Sequence, residues 1–326
     1  MFVRKYAFWM VLIVSAILLS VATVYAQVNE VTLHFIKNQQ EKVHLQMMSG
    51  TAGNPWQYRI LGDWIVDYLI NLLDNLGVNA PKANAYIVFR FMQCVLIFIS
   101  AGIYYRKLSI PLYTNLVGLS VLAWGMSHSL YNSDLSLNIF FDVGFYLIAA
   151  IFIMDGKFLL LPLLMVLAAL NRETSGLIPL MLVFYVFFSK DSSDKLKKTL
   201  TYATISMVVF IIVFSGLRLF YGEQSFLTAD GYYPGIGLFV LNITRWVTWE
   251  QLLITLGVIP ILAIIAYPSW SRTLKVFFWV VVPIWFGVHF FAALVAETRL
   301  FLVPQALIFI PGVLLGLSKR TDPDTI

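Results

Sequence analysis

Asn171-Arg172-Glu173-Thr174-Ser175 sets a guanidinium beside a carboxylate between two apolar runs, Phe158–Leu170 and Gly176–Phe188. A spanning helix needs about 20 apolar residues, so each run reaches only part way across a bilayer and the charges fall at membrane depth. Ionisable groups there cost about 3 kcal/mol or more each unless they pair or line a cavity, which marks them as a site. Arg90, Asp142, Arg218, His289, Glu297 and Arg299 also fall within or at the ends of apolar runs. Arg59, Arg90, Arg172, Arg218, Arg245 and Arg299 are all arginine, the side chain suited to bidentate recognition of phosphate or carboxylate. An anionic ligand is expected, and the binding set is read as Arg59, Arg90, Asp134, Asn171, Arg172, His289, Glu297 and Arg299. The acidic residues Glu30, Asp63, Asp134, Asp142, Glu173 and Glu297 either pair with these arginines or supply a general base toward a hydroxyl.

Other constellations carry less. His128 and His289 stand apart, with no HExxH and no helical His pair, so no metal site is read and no cofactor is expected; a divalent metal is not indicated. Ser127-His128-Ser129 followed by Asn132-Ser133-Asp134 assembles triad residue types, but a triad is a matter of geometry, not of sequence proximity. Gly235-Ile236-Gly237 is too short for a phosphate loop, and Asn242-Ile243-Thr244 fits a glycosylation sequon. Cys94 is the single cysteine and reads as packing inside an apolar run.

The elements that must hold these residues are membrane helices. Hydrophobic residues make up 60% of the 326 residues and charged ones 12%, with a mean hydropathy of +0.83, well outside soluble composition. Apolar windows predict an all-α integral membrane protein with about ten spans, near 6–26, 84–104, 111–127, 135–153, 158–170, 176–188, 200–220, 251–267, 276–295 and 300–317. The fifth and sixth form a broken pair over 158–188. With both termini in the cytoplasm, Arg4, Lys5, Arg106, Lys107, Lys157, Lys190, Lys195, Lys197, Lys198, Arg272, Lys275, Lys319 and Arg320 all fall on the cytoplasmic side. The formal charge of +5 thus reads as membrane orientation, and no nucleic-acid partner is expected. The first span reads as uncleaved despite Val24-Tyr25-Ala26. One polytopic domain therefore fills 1–326. Residues 27–83 form an outer loop with an amphipathic helix over 57–76, and 221–250 form an outer interfacial segment anchored by Trp246 and Trp249. The ionisable groups at membrane depth all fall toward the outer face, as a cavity open to that face would collect them.

Four stretches carry a resemblance: Trp56-Gln57-Tyr58-Arg59-Ile60-Leu61, Asn132-Ser133-Asp134-Leu135-Ser136-Leu137, Leu170-Asn171-Arg172-Glu173-Thr174-Ser175 and Glu297-Thr298-Arg299-Leu300. Over most of its length the chain resembles a group of bacterial membrane proteins related to GT-C glycosyltransferases. The resemblance implies a bacterial inner-membrane protein that transfers a sugar outside the cytoplasm from a polyprenyl-phosphate donor. It also implies an acidic catalytic residue in the first outer loop and interfacial amphipathic helices among membrane lipids. Those enzymes commonly carry a paired acidic motif or an Asp early in that loop, whereas this chain has only Glu30 near the end of its first span. Glu30 is therefore the leading base, with Asp63 and Glu173 behind it. Two other expectations stand beside this one: a transporter or flippase for an anionic lipid or solute, built on the broken pair, and a non-catalytic membrane assembly protein of the same fold.

Overall fold

A computed structural model describes residues 2–131, 137–188, 193–228 and 231–320. The described residues contain no strand, only one isolated bridge between Asn54 and Phe226. Among the described residues fourteen helices of seven residues or more organise the fold: α1 (Phe2–Val31), α2 (Glu41–Ser49), α3 (Leu61–Asn75), α4 (Pro81–Lys107), α5 (Leu112–His128), α6 (Ile139–Met154), α7 (Leu160–Asn171), α8 (Leu177–Phe188), α9 (Ser193–Tyr221), α10 (Ile236–Thr244), α11 (Trp246–Leu256), α12 (Ile259–Ile265), α13 (Arg272–Ala292) and α14 (Thr298–Ser318).

Among the described residues five helical runs are long and apolar enough to cross a membrane: Tyr6–Val31, Pro81–Lys107, Leu196–Tyr221, Arg272–Ala292 and Thr298–Ser318. The pair α11 and α12, bent by 69°, makes a sixth if it is one span. The chain thus has the helices of a multi-pass membrane protein. The other expected spans are shorter: 17 residues in α5, 16 in α6, and 12 each in α7 and α8. At about 1.5 Å per residue they reach only ~18 to ~26 Å.

The last helix, α14, is the most enclosed, with 83% of its apolar window buried. Two prolines and a π turn at Gln305–Phe309 leave its backbone carbonyls without their usual donors, a serious deficit in a medium without water. Side chains from other helices fill the gap. Pro304 has no N–H for Leu300 O, and the Trp285 indole N–H donates to it at 2.8 Å. Pro311 has none for Leu307 O, and the Tyr104 hydroxyl donates at 3.0 Å. The π turn sends the Ile310 N–H to Gln305 O, and Tyr105 donates instead to Ala306 O at 3.0 Å. Tyr104 and Tyr105 are fully buried, so these bonds fasten α4 to α14 inside the core.

Small residues allow the tightest approaches. A Cβ on Gly102 of α4 would lie 2.3 Å from a Leu12 methyl carbon, so a side chain there would displace Leu12 of α1. The broken pair has a clear local cause. Arg172 is extended, with φ −164° and ψ 144°, and a single 3₁₀ turn at Glu173–Gly176 restarts the helix as α8. The amphipathic helix expected over 57–76 forms over Leu61–Asn75. Asp63 and Val66 face inward while Trp64, Tyr68 and Leu72 are exposed, because His44 of α2 supplies a buried partner for Asp63 at 2.9 Å.

Candidate functional site

The break between α7 and α8 lies against α6, α9 and α13, and a cavity of about 330 Å³ opens there. One wall is polar, made by Arg59, Arg172, Glu173, Thr174 and His289. The other is apolar, with Leu177 of α8, Met207 and Phe210 of α9, and Ile284 and Val288 of α13. Gly176 keeps the floor open, since a Cβ there would come within 3.1 Å of the Phe210 ring.

Helix geometry explains how the polar wall is set. On α13, Trp285 and His289 are one turn apart and share a face, with rings 4.9 Å between centroids. The His289 Nδ1 lies 2.7 Å from Trp285 O, so that nitrogen carries the proton, and Nε2 accepts from Arg172 Nη2 at 3.2 Å. On α6, Asp142 and Tyr146 are likewise one turn apart. Tyr146 donates to Thr174 O at 2.6 Å, and the Thr174 hydroxyl donates to Asp142 Oδ2 at 2.8 Å. These bonds hold the 3₁₀ turn, and the Ser175 hydroxyl on Arg172 O at 2.7 Å closes it. Arg172 is 3% exposed, and its Nη1 lies 3.5 Å from Asp142 Oδ2 without hydrogen-bond geometry. Its Nε and Nη1 have no hydrogen-bond partner, a cost of about 1–3 kcal/mol per buried donor unless a ligand takes them.

Arg59 grips the other side of the break. Its Nε donates to Glu173 Oε2 at 3.0 Å and its Nη2 to Glu173 Oε1, a bidentate pair. The Trp56–Tyr58 turn just before it places that guanidinium, which also lies 5.5 Å from the Trp56 ring centroid. Arg218 packs over Tyr58 at 4.4 Å and over Phe214 at 3.4 Å.

Of the residues expected from sequence, Arg59, Arg172, Glu173 and His289 come together at this cavity. Asn171 lies just behind it, fully buried, donating to Asn138 O at 2.9 Å. The rest stand elsewhere. Arg90 is buried over the Phe140 ring at 4.5 Å, and Arg299 bonds Glu297 at 2.8 Å; none of these three charges lines the cavity. Asp134 lies outside the described residues. The three acidic residues proposed as bases occupy three separate places. Glu173 is held by Arg59 and Asp63 is paired with buried His44. Glu30 is exposed in a second cavity of about 790 Å³ with Ser127, His128, Tyr131 and Gln251. Asp142, Thr174 and Tyr146 belong to the network although they were not among the expected binding residues. The signal for Asp142 was an acid inside an apolar run, and Tyr146 lies one turn from it.

The sequon reading of Asn242 is overturned. Its amide is fully buried, donates to Phe290 O at 2.9 Å and Ala293 O at 2.8 Å, and accepts from Val295 N at 3.0 Å. It ties α10 to the end of α13 and has no amide free for a sugar. Among the described residues no cluster of three or more His, Cys, Asp or Glu side chains is placed to hold a metal ion. No family model, curated protein or solved structure matches the chain.

Proposed function

We propose that the protein is a membrane glycosyltransferase that moves a sugar from a polyprenyl-phosphate donor to an acceptor on the extracytoplasmic face. In this reading the chain has about ten membrane segments in a bacterial inner membrane, α7 and α8 forming one broken pair, with both termini in the cytoplasm. One observation carries the proposal: buried Arg172, whose Nε has no hydrogen-bond partner and whose Nη1 lies 3.5 Å from Asp142 Oδ2, borders a cavity with a polar wall and an apolar wall. That division suits a lipid phosphate and the first units of its chain. His289, as an acceptor on Nε2, fixes the guanidinium rather than reacting. Glu173 and Asp63 are held by partners and Glu30 opens into a separate cavity, so no base is assigned beside the donor.

The test uses purified protein in liposomes with a polyprenyl-phosphate sugar. Arg172→Ala should weaken donor binding at least tenfold. Unchanged donor binding by the Arg172 variant contradicts the assignment. A second reading, translocation of an anionic lipid, draws on a different observation. Another cavity shares Ile284 with this one and is lined by Arg272 and Lys275, so cations border both cavities along α13. Lipid flux in the absence of any sugar acceptor would favour it.

A further inference from the structure

The adjoining cavity encloses about 390 Å³ between α8 and α13. Leu180, Phe184, Val276, Val280 and Ile284 give it apolar walls, and Arg272 with Lys275 close one end. No carboxylate lines it. Arg272 and Lys275 are three residues apart in the first turn of α13, so they share a face. The positive end of the helix macrodipole reinforces them there. Lys275 lies 4.9 Å from the Tyr267 ring centroid, and Arg272 is exposed.

Length identifies the occupant. From Arg272 to Ile284 the helix rises about 18 Å. One leaflet of hydrocarbon is half of a core about 30 Å thick. The groove is therefore as long as one leaflet, cationic where headgroups lie and apolar beyond. His289 is about 26 Å along the same helix from Arg272, which puts the Arg172 cavity in the opposite leaflet.

We propose that this groove is a binding site for one anionic phospholipid of the leaflet opposite the Arg172 cavity. Its phosphate sits on Arg272 and Lys275, and one acyl chain lies between α8 and α13. The site stands whichever reaction the other cavity serves. Its effect is to fill the seam between the second half of the broken pair and the helix that carries His289.

The full-length protein is reconstituted into nanodiscs of equal phosphatidylglycerol and phosphatidylcholine, released, and examined by native mass spectrometry for retained lipid. Wild type should keep one phosphatidylglycerol, and Arg272→Gln/Lys275→Gln should lower its preference over phosphatidylcholine by about thirtyfold, the effect of two cations near a headgroup. Lys197→Gln/Lys198→Gln removes two exposed cations outside the groove and should leave the preference unchanged. Leu180→Trp, which narrows the groove and keeps both cations, should reduce retention of the lipid. Equal preference in wild type and the Arg272/Lys275 variant, or equal loss in the Lys197/Lys198 variant, would overturn the proposal. So would full retention with Leu180→Trp.

Discussion

Glu173→Gln separates a structural carboxylate from a catalytic one. The substitution keeps the shape of the side chain but removes the charge that holds Arg59 in a bidentate pair. Breaking a fully buried pair costs about 3–5 kcal/mol, because one charge is left without compensation. Here the Arg59 side chain is 8% exposed but that of Glu173 is 34% exposed, so water screens part of the interaction. The expected loss is therefore about 2 kcal/mol. Arg59→Met/Glu173→Leu should recover most of it, since exchanging both charges for apolar groups is close to neutral. Thermal unfolding in detergent, read by aggregation-detected size exclusion, ranks the single and double variants. The same variant makes a functional statement. With its anionic partner gone, Arg59 adds positive charge to the cavity, so Glu173→Gln should bind a polyprenyl phosphate as tightly as wild type or more tightly. A variant as stable as wild type that binds lipid normally but has lost all transfer would refute this account and make Glu173 the base.

Three further outcomes follow from the packing. Tyr104→Phe orphans Leu307 O and should cost about 1–2 kcal/mol in detergent, while Tyr104→Phe/Pro311→Ala supplies a backbone N–H in its place and should recover most of that loss; strict additivity of the two substitutions would contradict the carbonyl-clamp explanation. Thr174→Val removes a hydroxyl bonded to Asp142 at 2.8 Å and should loosen the 3₁₀ turn, lowering stability by about 1 kcal/mol and weakening donor binding, measured side by side in the same preparation. Asn242→Ala breaks three buried bonds between α10 and the end of α13 and should reduce the unfolding temperature by several degrees, an effect that removal of an unmodified sequon would not produce.

How far the sequence could be read depended on whether its signals were local. The break at Asn171–Ser175 was visible because charge interrupts apolar runs, and the structure shows Arg172 extended at that place. The long helices were visible as apolar windows. The pairing of Arg172 with His289 spans 117 residues, and no spacing rule reaches that far. The same holds for Arg59 with Glu173, which are 114 residues apart. For helix α3, periodicity reports which residues share a face, not which face meets the protein. His44, 19 residues before Asp63, decided that. The separation of Glu30 from the Arg172 cavity was equally illegible, since both are merely outer-side charges until the helices are placed. The fastening of α14 was written in Pro304 and Pro311, but the donors Trp285 and Tyr104 come from distant helices.

The most direct test of the central claim is equilibrium binding of a fluorescent polyprenyl-phosphate analogue to purified protein, compared between wild type, Arg172→Ala and Arg90→Ala. Arg172 lines the cavity and its Nε has no hydrogen-bond partner, whereas Arg90 is buried over Phe140 away from it. Affinity should fall at least tenfold in the Arg172 variant and stay within twofold of wild type in the Arg90 variant. An Arg172 variant that binds as well as wild type while remaining folded would show that the anionic ligand sits elsewhere.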